Sequence, residues 1–136
     1  LDEVDAFEHA CYFDRDGQPL TLRQFGQLSE VLEYRRVAET YLHDNEIWVS
    51  TVWLGLNHNF GPTGPPLIFE SMVFVDVTSE KLAKRRRRWP SWREDQFPYD
   101  GGETQRYATE AQAIAGHEEM VESLRMRIEE LDQLPG

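Results

Sequence analysis

One cysteine, Cys11, stands in a chain of 136 residues. That excludes an internal disulfide framework and a cysteine-rich zinc site, and it suits a reducing compartment. Long apolar runs are also missing. The longest stretch, Ile68 to Val77, is broken by Glu70, Ser71 and Asp76, short of the roughly 20 residues needed to span a bilayer. The chain opens Leu-Asp-Glu, without the basic end and apolar stretch of a secretory leader. A cytoplasmic protein with no membrane partner is therefore expected. Basic residues are few, 14 Lys+Arg against 25 Asp+Glu, for a net charge of −11. What the chain does have is 40% hydrophobic and 12% aromatic residues. That is enough for a core and excludes wholesale disorder. The length fits one domain over residues 1–136.

The charge is unevenly placed. Residues 81–94 hold seven of the basic residues and one acid, which leaves seven basic and 24 acidic residues elsewhere, a balance of −17. Such a body repels nucleic acid and anionic lipid, and attracts a basic partner. No repeat at a fixed period is present.

Residues 1–9 are acidic and read as a loose N-terminal segment. Cys11-Tyr12-Phe13 reads as a short strand, followed by an Asp14-Arg15-Asp16-Gly17 turn. Thr21 and Gln24 have capping-box spacing, which predicts a helix with Leu22, Phe25, Leu28 and Leu32 on one face, ending near Glu33. Tyr34–Leu42, Ile47–Leu56 and Leu67–Val77 read as three antiparallel strands, the second with two substantially apolar faces. Asn57 to Pro66, rich in Gly and Pro, reads as a loop. Residues 78–104 read as an exposed basic and aromatic loop, and Gln105–Ala108 as one more short strand. Thr109 and Gln112 repeat the capping box. They open a last helix to about Leu131 with Ile114, Val121, Leu124, Ile128 and Leu131 in line, and His117 on the same line. The fold class predicted is α+β, an antiparallel sheet of three to four strands with two helices packed on one face.

Candidate chemistry is sparse. His58 and His117, brought together with Glu70 or Asp14, would supply a catalytic group or a two-histidine, one-carboxylate metal site. No HxxxH, HExxH or cysteine pair supports this, and a satisfied structural histidine is the plainer reading of each. Asp14-Arg15-Asp16-Gly17 resembles the start of a calcium loop. The twelfth position, however, is Phe25 where a bidentate glutamate is needed. Gly61-Pro-Thr-Gly64 lacks the Gly-Lys-Ser/Thr of a phosphate loop, and no nucleophile elbow is present. No motif asks for a cofactor, and the reading leans away from an enzyme. Arg85, Arg86, Arg87 and Arg88 with Trp89 and Trp92 form a candidate binding segment, since guanidinium groups pair with phosphates and indoles stack on bases. The last helix offers an a/d-like seam, Ile114, Val121 and Ile128 against His117, Leu124 and Leu131, of the kind through which two copies pair as a homodimer; packing against the sheet is the favoured reading.

Three stretches carry a resemblance: Val49-Ser-Thr-Val-Trp-Leu-Gly-Leu-Asn-His58-Asn-Phe-Gly61, Pro65-Pro-Leu-Ile-Phe-Glu-Ser-Met-Val-Phe74 and Arg106-Tyr-Ala-Thr-Glu-Ala-Gln-Ala-Ile-Ala-Gly-His117. With Tyr12-Phe-Asp-Arg-Asp-Gly17, the chain resembles a family of small proteins encoded by bacteriophages of actinobacteria and by actinobacterial genomes in prophage-like settings. The resemblance implies an origin and no named activity. The arginine run lies outside the shared motifs, so a role built on it would be peculiar to this chain. A non-enzymatic accessory protein that binds a host or phage protein, in the cytoplasm of a bacterial host, is the leading expectation. The alternatives are a metal- or His-dependent enzyme using His58 and His117, and a nucleic-acid binder using the arginine run.

Overall fold

Short-range polar chemistry sets the first unit of the chain. In the computed structural model, which describes residues 10–91 and 104–134, the Asp14 carboxylate accepts the N–H groups of Asp16 and Gln18 at 2.9 and 2.8 Å. Gly17 supplies the positive φ of 85° that the turn requires. This turn pairs β1 (Tyr12–Phe13) with β2 (Pro19–Leu20). The capping box at Thr21 and Gln24 is formed, and it opens α1 (Leu22–Ser29). That helix ends four residues before the expected Glu33. The chain turns at Glu30-Val31 into a separate single-turn α2 (Leu32–Arg35). The predicted apolar stripe divides accordingly: Phe25 and Leu28 pack inward, while Leu22 and Leu32 stay exposed.

The sheet follows, with β3 (Arg36–Leu42), β4 (Ile47–Trp53) and β5 (Phe69–Val75) in antiparallel order. A bulge at Val37 lets one extra β3 residue turn toward the core. Next comes α3 (Glu80–Arg88), capped by Ser79, which accepts the Leu82 N–H. This corrects the expectation of an exposed loop over 78–104. Leu82 and Trp89 are buried, so the segment packs into the core on two apolar anchors seven residues apart. Residues 92–103 of that expected loop, and the N-terminal segment 1–9, lie outside the described residues. β6 (Thr104–Tyr107) pairs antiparallel with β5, completing a four-stranded sheet in the order β3-β4-β5-β6.

The second capping box, Thr109 with Gln112, opens α4 (Glu110–Asp132), which lies across all four strands. It covers the face formed by Ile47, Val49, Thr51 and Trp53 of β4 and by Phe69, Ser71 and Val73 of β5, all buried. At the far end of this face Phe25 of α1 meets Trp53, with ring centroids 5.7 Å apart. The predicted α+β arrangement, one antiparallel sheet with helices on one face, is the observed one. Gly116 on α4 leaves room for the Tyr107 ring, which a Cβ at that position would overlap at 2.2 Å. Val121, Leu124 and Leu131 of α4 are buried against the sheet, so most of the a/d-like seam belongs to the protein's own core, while Ile114 stays exposed. No helix among the described residues is long and apolar enough to cross a membrane.

Candidate binding face and the predicted site residues

The core on the α4 side has two apolar clusters. One gathers Leu42, Ile47, Val49, Val73, Leu82, Trp89, Val121, Leu124 and Leu131. The other gathers Phe13, Trp53, Ile68, Phe69 and Ala113. His117, 5% exposed, lies between them on α4. Its Nε2 is 2.8 Å from Thr40 Oγ1 and its Nδ1 is 2.7 Å from Thr51 Oγ1, and Thr51 Oγ1 in turn meets Ser71 Oγ. The result is a chain of hydroxyls and one imidazole crossing three strands. Every polar side chain in it has a partner, as burial demands. Burial holds the imidazole below its ordinary pKa, against a small opposing pull from Glu118. An open cleft of about 280 Å³ lies beside it, lined by Thr40, His117, Glu118, Val121, Glu122 and Arg125.

The predicted catalytic or metal set does not assemble. His58 Nδ1 donates to the Leu56 carbonyl at 2.8 Å within its own loop. Glu70 points to the face of the sheet opposite His117, where it accepts Arg106 Nε at 3.0 Å. The Asp14 carboxylate is occupied by its turn. The period-two alternation of β5 explains the separation: Glu70 and Ser71 are neighbours, so only one of them can face α4. Among the described residues no three His, Cys, Asp or Glu side chains are grouped to hold a metal ion.

The arginine run is sorted by the turns of α3. Arg85 faces inward, pairing with Asp132 at 2.6 Å and with His43. His43 also meets Glu46 at 3.1 Å, and Glu46 accepts Ser79. This cluster ties the β3–β4 turn, where His43, Asp44 and Asn45 all have positive φ, to α3 and to the end of α4. Lys81 pairs with Asp44. Trp89, 6% exposed, is a core residue and offers no ring for stacking, which corrects the expectation for it. Arg86, Arg87 and Arg88 are exposed, as is Lys84. Lys84, Arg87 and Arg88 form no ion pair among the described residues. Trp92 lies outside the described residues.

The feature that sequence reasoning missed is on the other side of the sheet. The strand register places three rows there. The first is Tyr41, Trp48 and Phe74. The second is Glu39, Ser50, Met72 and Thr104. The third is Arg36, Val52, Glu70 and Arg106. In the first row Trp48 and Phe74 stack with centroids 5.4 Å apart and planes 15° apart, and Tyr41 and Trp48 stack at 6.3 Å and 30°. Tyr41 is 53% and Phe74 38% exposed. A row of stacked, solvent-facing rings across three strands has the composition that protein contact surfaces concentrate. The apolar second face of Ile47–Leu56 was the available signal, and it reads equally well as a strand covered on both sides.

Comparison of the chain with family models, with curated proteins and with solved structures gives no match.

Proposed function

We propose that this is a phage-type accessory protein of actinobacterial setting, working in the bacterial host's cytoplasm. It acts by binding another protein rather than by catalysis, and in doing so restrains a host pathway. The observation that carries this reading is the exposed Tyr41–Trp48–Phe74 row. Rigid aromatic side chains lose little conformational freedom on binding and dominate contact energetics. Rings that already stack on one another present edges and outer faces, which suits burial by a polypeptide better than intercalation of bases. The test is capture of a binding partner from host lysate, with wild type against Trp48→Ser and Tyr41→Thr, each checked for an unchanged melting curve. A partner whose affinity falls about 30-fold or more in the variants is the expected outcome. A partner held equally well by all three proteins would rule the face out.

A second reading has its own support in Lys84, Arg87 and Arg88, which form no ion pair among the described residues and share one side of α3 at helical spacing. If they contact phosphates, affinity for short DNA or RNA should fall with salt at a log–log slope of about −2 to −3. Binding should disappear when all three residues are changed to glutamine. Binding unaltered by that change removes α3 as the contact.

A further inference from the structure

We propose that the open edge of β3 takes an extended segment of a partner protein as an added strand, and that this segment carries a lysine or arginine where it passes Thr40. This rests on the reading of the chain as a protein that binds another protein. It names the mode of binding and the chemistry of the bound segment.

The backbone supports the edge. β3 ends the strand order and pairs with β4 alone. At the two ends of β4, the Glu46 carbonyl accepts the Asp76 N–H at 2.7 Å and the Leu54 N–H donates to the Ile68 carbonyl at 2.7 Å. Even-numbered residues of β4 thus direct their backbone groups toward β5, and odd-numbered ones toward β3. Thr40 and Leu42 lie opposite Val49 and Ile47, so they are the residues bonded to β4. Glu39 and Tyr41 then point their N–H and C=O groups outward, and among the described residues no other element's backbone meets them. The Val37 bulge closes one end of this edge and the β3–β4 turn the other. Between them, Ala38 to Leu42 holds one charge and no proline, so the usual guards against strand addition are thin.

Side chains select the occupant. A residue added opposite Thr40 shares its face of the sheet, the α4 side. There the cleft of about 280 Å³ opens beside Thr40, with Glu118 and Glu122 one helical turn apart on its wall and Arg125 as the one cation. Glu118 and Glu122 form no ion pair among the described residues. Two carboxylates against one guanidinium, on a body of net charge −11, favour a cationic side chain at this position. The residue opposite Tyr41 faces the other side, where the half-exposed Tyr41 ring ends the aromatic row. An aromatic or β-branched residue there lengthens that row by one strand. The segment recognised is therefore extended, with a basic residue next to an apolar one. Main-chain bonds supply affinity, and the cleft and the Tyr41 ring supply choice.

The experiment is amide NMR of the nitrogen-labelled full chain, titrated with acetyl-Thr-Val-Lys-Tyr-Thr-amide and with the same peptide carrying Glu in place of Lys. The edge is short, so the Lys peptide should bind with a dissociation constant on the order of 0.1–1 mM. Its shifts should centre on Glu39, Thr40 and Tyr41, and the Glu peptide should bind about fivefold more weakly or worse. Glu39→Pro removes an outward N–H at an edge position, where proline is tolerated. It should weaken binding about fivefold relative to Glu39→Ala, which loses the same carboxylate and keeps the N–H. Glu118→Gln with Glu122→Gln, both exposed on α4, should erase the preference for Lys over Glu. Melting curves check each fold, and the α4 pair decides the matter if Glu39→Pro does not fold. Absence of saturable shifts at millimolar peptide, equal binding of the two peptides, or shifts centred away from β3 overturns the proposal. Loss of a captured protein in Trp48→Ser alongside any of these would leave the broader binding reading standing.

Discussion

Gly55→Ala should lower the free energy of unfolding by about 3 kcal/mol or more and the melting temperature by roughly 10 °C. Two effects add at this position. Gly55 has φ of +75°, where an L residue costs about 1–2 kcal/mol. An added Cβ would also lie 2.5 Å from the Trp53 indole and 2.7 Å from the Phe25 ring. Neither ring is free to retreat. Trp53 is 2% exposed, donates Nε1–H to the Phe13 carbonyl at 2.9 Å, and meets Tyr34 edge-on with centroids 5.0 Å apart. Phe25 is stacked on Tyr12 at 4.5 Å. The backbone cannot shift easily either, because the Gly55 carbonyl accepts the Phe13 N–H at 2.8 Å. The control is Gly26→Ala on the exposed side of α1, where a Cβ meets nothing within 4 Å. There the same change should stabilise by up to about 1 kcal/mol through helix propensity. Urea unfolding followed by circular dichroism measures both, and similar values for the two would show that the Trp53 corner is looser than described.

The contrast between these glycines indicates what a sequence discloses. Local chemistry was legible: both capping boxes, the Asp14–Gly17 turn and the three long strands lie where residue types placed them. They depend on neighbours a few residues apart. The α3 helix was not legible, because Lys81 to Arg88 has almost no apolar periodicity. It is held by a Ser79 cap, by Leu82 and Trp89 reaching the core, and by Arg85 meeting Asp132 across the fold. Sequence alternation likewise revealed two apolar faces on β4 without saying which would be covered. Among the described residues one helix lies across this sheet, on the face opposite Trp48, and Tyr41, Trp48 and Phe74 come into one row only through pairing of three strands. His117 was visible on the apolar line of α4. Its partners were not, since Thr40 lies 77 and Thr51 66 residues away in sequence.

Those partners make His117 the second residue whose replacement should be costly. His117→Leu keeps the volume roughly but removes both ring nitrogens. Thr40, half-buried beside the open cleft, loses this hydrogen bond, and buried Thr51 keeps only Ser71. Each lost hydrogen bond is worth about 0.5–1.5 kcal/mol net, so a loss of about 1–3 kcal/mol is expected for the two. The pH dependence separates this polar role from simple space filling. The unfolded chain protonates His117 near the ordinary value of 6.5, while burial lowers its pKa in the folded protein. Above 6.5 both states hold it neutral and it contributes no slope. As pH falls below 6.5 the unfolded state takes up the proton first, so stability declines until the folded-state pKa is passed, and then levels off. Wild type should therefore lose stability between about pH 7 and about pH 5 in excess of His117→Gln, whose amide can donate and accept but does not titrate. Parallel pH profiles for the two proteins would mean that the imidazole is not held neutral in the fold. A profile that converges on acidification identifies the Thr40–His117–Thr51 chain as the element that makes this sheet-and-helix core acid-sensitive.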